Sequence, residues 1–181
     1  KNRLDLLRRC VESIQKITTY KNYQIVIVDN GSETQTLEYL SNVDARVLQI
    51  PSPDGRFSFA YLNNRAVEQC DTEYVLLLNN DTEVIEPKWL SQMMGYARLD
   101  GVGSVGARLL YPDDRVQHAG IVHGLHGGLA GHAFKLMPRN HPGYLNLSLV
   151  TRNVAAVTAA CLLTPRELYL KMNGLDEQHF N

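Results

Sequence analysis

Three short apolar runs constrain this chain most: QIVIVD at residues 24–29, RVLQI at 46–50 and YVLLL at 74–78, with helix-spaced stretches between them. Their apolar residues do not alternate with polar ones, as they would in a strand with one wet face. Such runs belong to strands buried on both faces, as in parallel sheets. After the first run, NGSETQ turns the chain, and TQTLEYL does not alternate like a returning hairpin strand. Ser32 and Gln35 have capping-box spacing, so a helix is expected there. Ala60, Asn64 and Val67 mark another helix before the third run. Strands alternating with helices predict βαβ units on a mostly parallel, Rossmann-like α/β sheet flanked by helices.

That architecture directs attention to the carboxyl ends of the strands, where open α/β sheets collect ligands. Asp29 ends the first run, and Asn79, Asn80 and Asp81 end the third. Two polar clusters from separate strands are therefore expected to face one pocket.

Elsewhere, Leu4, Leu7, Val11 and Ile14 form an apolar stripe opposite Arg8, Arg9, Glu12 and Lys16, which predicts an amphipathic N-terminal helix. Pro87 is placed as the first residue of a helix through KWLSQMMGYARL. VGSVGARLLY reads as a strand region. Residues 112–144 are rich in Gly, His and Pro and are expected to be irregular, with a short strand at 120–123. Residues 154–164 read as an apolar strand. Pro165 then opens a helix to about Met172, which Asn173 and Gly174 stop.

The 181 residues suit one domain, residues 1–181, rather than two. Eighteen basic against nineteen acidic side chains give a net charge of −1, which supplies no overall pull toward nucleic acid. Cys10, Cys70 and Cys161 have no CxxC spacing and are expected to be reduced, mostly buried thiols of a cytosolic protein. The apolar stretch at 154–163 is far short of the roughly 20 residues of a bilayer span. No secretory signal pattern opens the chain, so the expected location is cytoplasmic.

Several polar groups have two readings each. Asp81 beside the amides of Asn79 and Asn80 suits a hard cation such as Mg²⁺ or Mn²⁺, which completes its shell with water and phosphate oxygens. The same residues also suit a strand cap with an Asx turn. Asp29 either closes the turn Asp-Asn-Gly-Ser or accepts from a base or ribose. Gly55 and Arg56, in PSPDGRFSF, either bring a guanidinium to a pyrophosphate or form a solvated loop. His118, His123, His126 and His132 lack the spacing of a zinc set, and one or two of them are expected to line a substrate cleft. No P-loop, GxGxxG or GxSxG pattern is present.

Together, IVIVDNGS, NNRAVEQCDTEYVLLLNNDTEV and AACLLTPRELYLKMNGLDEQHF resemble, in this order and spacing, the family 2 glycosyltransferases of the GT-A fold. QHAGIVHGLHGGLAGHAF further resembles bacterial members associated with O-antigen or other surface polysaccharides. The resemblance implies an inverting transfer of a sugar from a nucleotide diphosphate-sugar to the hydroxyl of a glycan or lipid-linked glycan. It implies a nucleotide-binding part at about 1–86, an acceptor-side part at about 87–181, and a place at the inner face of the cell membrane.

In that family Asp29 matches the residue that contacts the base, Asp81 the metal-binding carboxylate of the DxD motif, and Asn79 its first aspartate. The resemblance also implies one core strand ahead of Lys1 and a catalytic base beyond Asn181. Asp176 and Glu177 precede that base in the family pattern, so the catalytic residue is not assigned within this chain. Two alternatives compete with transfer: a nucleotidyltransferase, and a glycan- or protein-binding module that keeps the fold without catalysis.

Overall fold

The structure is a computed structural model and describes residues 2–53, 55–125 and 127–179. Helix α1 (Leu4–Ile17) leads into strand β1 (Val26–Asp29), helix α2 (Thr34–Leu40), strand β2 (Arg46–Gln49), helix α3 (Phe59–Glu68) and strand β3 (Tyr74–Leu78). Helix α4 (Trp89–Ala97) follows, then short strands β4 (Val105–Gly106), β5 (Leu109–Leu110), β6 (Val116–His118), β7 (Ile121–Leu125) and β8 (Leu129–His132). A single 3-10 turn at Tyr144–Asn146 precedes strand β9 (Cys161–Pro165) and helix α5 (Arg166–Lys171).

The α/β alternation is present, but the sheet is mixed rather than mostly parallel. β1 and β2 pair in parallel, Val26 opposite Arg46 through Asp29 opposite Gln49. β9 lies between β3 and β4 and is antiparallel to both. β3 and β4 therefore run the same way, as the β3-α4-β4 unit requires, and the late strand β9 returns between them. Apolar periodicity identifies a strand without giving its direction, so the run at 154–164 left this open. Only its last four residues, from Cys161, belong to the strand.

Two layers of helices cover the strands. On one face α1 packs Leu7 and Val11 on Ile27, and α4 packs Met93 and Ala97 on Cys161 and Leu163. On the other, Leu62 and Ala66 of α3 meet Leu48 and Ile50, while Val67 and Tyr169 of α5 meet Val75 and Leu77. Fully burying each such side chain contributes about 1.5–3 kcal/mol. α1 and α3 both bridge from β1 to β3. Two bonds pin α1 to the second strand group: Ser13 Oγ accepts from the Val84 amide at 2.9 Å, and Trp89 Nε1 donates to Thr18 Oγ1 at 2.9 Å.

β1 and β3 are not hydrogen-bonded to each other. Within β1, Ile25 and Asp29 carbonyls accept from β2 and its continuation, so by ladder alternation the amides and carbonyls of Val26 and Val28 face the opposite edge. In β3, the Glu73 carbonyl and the Asn79 amide bond toward β9, so those of Leu76 and Leu78 face away from it. Two strand edges thus look at each other across a cleft closed by α1 on one face and α3 on the other.

Local details depart from expectation in three places. α2 is capped at Glu33, whose amide donates to Asn2 Oδ1 at 2.9 Å, rather than by the Ser32–Gln35 box. The Ser32 amide is drawn instead to Asp29. Helix α4 begins at Trp89 with Lys88 as its N-cap, so Pro87 lies ahead of it rather than at its first position. Residues 112–144 hold three strands where one was expected, because the β7–β8 hairpin has a register irregularity between His123 and Leu125 that breaks the alternation readable in sequence.

Candidate active site at the carboxyl end of the sheet

The turn after β3 is closed by backbone and by Thr82, not by its own polar side chains. Thr82 Oγ1 donates to the Asn79 carbonyl at 2.8 Å, and the Cys10 thiol approaches the same oxygen at 3.7 Å. The Asn79 amide donates to the Ala160 carbonyl at 3.0 Å, anchoring the turn on the approach to β9. Among the described residues, the side chains of Asn79, Asn80 and Asp81 have no hydrogen-bond partner; Asn79 is half-buried and the other two are exposed. The strand-cap and Asx-turn reading of these three therefore finds no bond in the structure to carry it.

Asp29 divides its work between two oxygens. Oδ1 accepts from the Ser32 amide at 3.1 Å, which is the turn chemistry expected of Asp-Asn-Gly-Ser. Oδ2 is buried without a partner among the described residues, and the residue as a whole is 3% exposed. A buried acceptor left unsatisfied costs about 1–3 kcal/mol, so this oxygen is set to accept from something entering the cleft. The next residue, Asn30, exchanges two bonds with Ser52, at 3.1 and 3.0 Å, and ties the loop after β2 to the turn after β1.

One cavity of about 940 Å³ is lined by Asp29, Asn30, Asn79, Asn80 and Asp81 together. It continues between the edges of β1 and β3, whose consecutive residues all contribute to its wall. A pocket against a sheet face would meet every second residue; one that meets them all runs along the hydrogen-bonding edges. Phe57, Phe59 and Asn63 add a wall that the sequence did not single out, although FSFAYLNN carries the signal as a pair of aromatics ahead of a helix.

The structure does not bring Gly55 and Arg56 into that lining. Both are exposed, Gly55 closes a turn by donating its amide to the Ser52 carbonyl at 3.2 Å, and its φ of +73° is one that glycine adopts without strain. A divalent cation is compatible with Asp81 and Asn79, since Mg²⁺ and Mn²⁺ need few protein oxygens when phosphate and water supply the rest. Among the described residues no group of three or more His, Cys, Asp or Glu side chains converges as a metal site, at this cleft or outside it. Of the four histidines, His118 and His132 meet, Nδ1 to Nδ1 at 2.9 Å; His123 is exposed, and His126 lies outside the described residues. Cys10 and Cys161 are buried and Cys70 half-buried, all free thiols, and burial pushes Cys161 up to about 12. No helix among the described residues is long and apolar enough to cross a membrane.

Asn64 was expected only as a helix residue, and it has a larger part. Its Oδ1 accepts from Tyr169 Oη at 2.6 Å and from the Leu175 amide at 2.9 Å; its Nδ2 donates to the Leu175 carbonyl at 2.8 Å and to Glu177 Oε1 at 2.7 Å. Three of these four bonds clamp the GLDE segment onto α3, and the fourth ties in Tyr169 of α5. No short-range pattern announces this, because the partners are more than 100 residues away.

The sequence profile of glycosyl transferase family 2 matches residues 1–168. Over 183 aligned residues the chain is 46% identical to the uncharacterised protein y4gI of Sinorhizobium fredii, covering 98% of this chain and 20% of that protein. It is 38% identical over 181 residues to the O-antigen biosynthesis protein RfbC of Myxococcus xanthus, covering 98% of this chain and 14% of that protein. The chain thus spans a fifth or less of the length of these relatives. Among solved structures, the mannosyltransferase PcManGT of Pyrobaculum calidifontis, in complex with GDP-Man and Mn²⁺, matches with a TM-score of 0.65 at 16% identity, over 98% of this chain and 45% of that one. The shared architecture is the GT-A α/β fold. With its profile matched nearly end to end, the chain belongs to glycosyl transferase family 2.

Proposed function

We propose that the chain is the core of an inverting glycosyltransferase that moves a sugar from a nucleotide diphosphate-sugar to a hydroxyl of a glycan or lipid-linked glycan, in bacterial surface-polysaccharide synthesis at the inner face of the cell membrane. The observation that carries this is the shared cleft: the unpartnered Asp29 Oδ2 and the unengaged side chains of Asn79, Asn80 and Asp81 line one cavity at the carboxyl ends of β1 and β3. Family membership, the RfbC relative and a fold neighbour that binds GDP-Man with Mn²⁺ support it.

In this reading residues 1–86 hold the nucleotide and 87–181 face the acceptor. Asp29 accepts from the base. Asp81 and Asn79 hold Mg²⁺ or Mn²⁺, which when bound offsets charge on the departing diphosphate. Arg56 reaches the pyrophosphate from its exposed loop. The acceptor's proton goes to a general base that is not assigned among the described residues. Asn79 stands where an acid is usual, so the cation is held by one carboxylate and binds together with the nucleotide rather than ahead of it.

The test is calorimetric titration of the full-length protein with UDP, dTDP and GDP, with and without Mn²⁺, alongside Asp81→Ala. Metal-dependent binding of one nucleotide, weakened at least about tenfold in the variant, is expected, since a charged interaction contributes about 1.5–3 kcal/mol. Unchanged binding in Asp81→Ala counts against the reading. Glycan binding that ignores both metal and nucleotide would favour a non-catalytic module, and pyrophosphate release from a nucleoside triphosphate would favour a nucleotidyltransferase.

A further inference from the structure

Outside the Asp29–Asp81 cleft, the most constrained polar cluster is the histidine pair joining β6 to β8. His118 is 1% exposed. Its Nε2 is approached by the Gly120 amide at 3.2 Å and the Thr158 amide at 3.5 Å. Backbone amides only donate, so Nε2 is bare and the ring's proton is on Nδ1. That proton points at His132 Nδ1, 2.9 Å away, with the rings at 83° to each other. His132 Nδ1 is therefore bare in turn, and its proton resides on Nε2, which has no partner among the described residues.

The lock is built from rigid parts. Gly120 has φ +96°, and a Cβ there would fall 2.5 Å from Val154 Cγ1, so glycine alone brings the amide to His118. Burial pushes His118 down to about 4, with His132 adding to the effect, so His118 stays neutral at working pH. The pair also stands at the right end of the sheet. Thr158, which donates to His118, is two residues before Ala160, whose carbonyl receives the Asn79 amide. Across the strand order, β1 ends at Asp29, β3 ends at Asn79–Asp81, and β9 with its approach lies beyond β3, on the side away from β1. The pair lies outside the lining of the Asp29–Asp81 cavity, so it is the part of a ligand that extends past Asp81 that could meet it.

We propose that His132, half-buried and fixed by His118 as a hydrogen-bond donor through Nε2–H, binds a sugar hydroxyl on the far side of the diphosphate, with His118 as its positioning residue. This rests on the glycosyltransferase reading. The tautomer assigns donation and excludes His132 Nε2 as the base that takes the acceptor's proton. The hydroxyl belongs either to the transferred sugar or to the accepting one, and binding data separate the two sources.

The experiment uses the full-length protein with Mn²⁺ and the nucleoside diphosphate it binds best among UDP, dTDP and GDP. Wild type, His132→Leu and His132→Gln are titrated with that nucleotide and with its glucose, galactose, mannose and rhamnose derivatives, and transfer to a panel of methyl glycosides is followed. Nucleotide affinity is expected to stay within twofold in His132→Leu. If the hydroxyl is the donor's, the affinity added by the sugar falls about tenfold; if it is the acceptor's, donor binding holds and the KM for the glycoside rises about tenfold. In either case His132→Gln, which keeps an amide donor near Nε2, recovers most of the loss. Imidazole ¹⁵N spectra of the wild type provide a check that needs no variant: His118 as the Nδ1–H form and His132 as the Nε2–H form. The reverse tautomers overturn the proposal, as do unaltered sugar affinity and transfer in His132→Leu. Absence of nucleotide binding by the wild type instead defeats the glycosyltransferase reading beneath it.

Discussion

Asp29 shows how one side chain serves structure and site at once, and its two oxygens can be tested apart. Asp29→Asn keeps an oxygen for the Ser32 amide, so stability is expected to change by less than about 1 kcal/mol in denaturant unfolding, while nucleotide affinity falls about tenfold because an amide N–H replaces the unpartnered acceptor. Asp29→Ala loses the turn bond as well and should lie about 1 kcal/mol below Asp29→Asn. His118 gives a pH prediction of definite sign. Its ordinary value of 6.5 drops to about 4 in the fold, so between those pH values the unfolded chain binds the proton that the folded chain refuses. The stabilisation is present above 6.5 and is lost as pH falls toward 4, on the order of 3 kcal/mol, and His118→Gln should flatten that slope in unfolding curves taken from pH 7 to 4. The groups facing this ring are His132 at Nδ1 and the Gly120 and Thr158 amides at Nε2, none of them acidic. That Asp29, Asn79 and Asp81 would face one cavity was legible in the sequence because a polar residue directly after a doubly buried strand has few places to go. The histidine pairing was not, since it depends on a hairpin closing across 14 residues and on which nitrogen carries each proton.

Among the elements, those with strong periodicity were readable, and those defined by their partners were not. The stripe of Leu7, Val11 and Ile14 gave α1, and the unbroken runs gave β1, β2 and β3, because burial on one stripe or on both faces leaves a pattern. The direction of β9 and the true cap of α2 left no such mark: the first is decided by pairing at long range, the second by Asn2 reaching Glu33 from 31 residues away. The facing edges of β1 and β3 carry an expectation of the same long-range kind. A strand entering between them would pair with Val26 and Val28 on one side and Leu76 and Leu78 on the other, and Asn2 and Arg3 line the cleft it would occupy. In hydrogen exchange, those four amides are expected to be strongly protected in the full-length protein and to exchange at least tenfold faster in residues 1–181 alone; equal rates would show that no strand enters. Helix α5 ends on a similar dependence. Gly174 has φ +68°, and a Cβ there would collide with Asn64 Oδ1, so Gly174→Ala should cost about 2–4 kcal/mol in unfolding experiments by straining the turn and opening the Asn64 clamp.

For the whole molecule, the mixed sheet divides into two groups of strands that α1 and α3 hold at a fixed spacing, with the polar residues of the shared cavity split between them: Asp29 at the end of β1, Asn79–Asp81 just after β3. A ligand touching both groups ties them together and should stabilise the fold beyond what either contact does alone. In the proposed donor site a single carboxylate at Asp81 would hold the cation weakly without phosphate oxygens to share it, so metal and nucleotide would be coupled, each raising the other's affinity by the same factor. In thermal unfolding of the full-length protein, Mn²⁺ alone is therefore expected to leave the midpoint unchanged, the preferred nucleoside diphosphate alone to raise it slightly, and the two together to raise it by about 5–10 °C at a hundredfold excess over Kd, corresponding to about 2.7 kcal/mol. Asp81→Ala should abolish the synergy and keep the small nucleotide-only shift, because Asp29 still accepts from the base; Asp29→Asn should lower both. A rise with Mn²⁺ alone would mean that the cation binds elsewhere or ahead of the nucleotide, and the coupling inferred from Asn79 in place of an acid would be wrong.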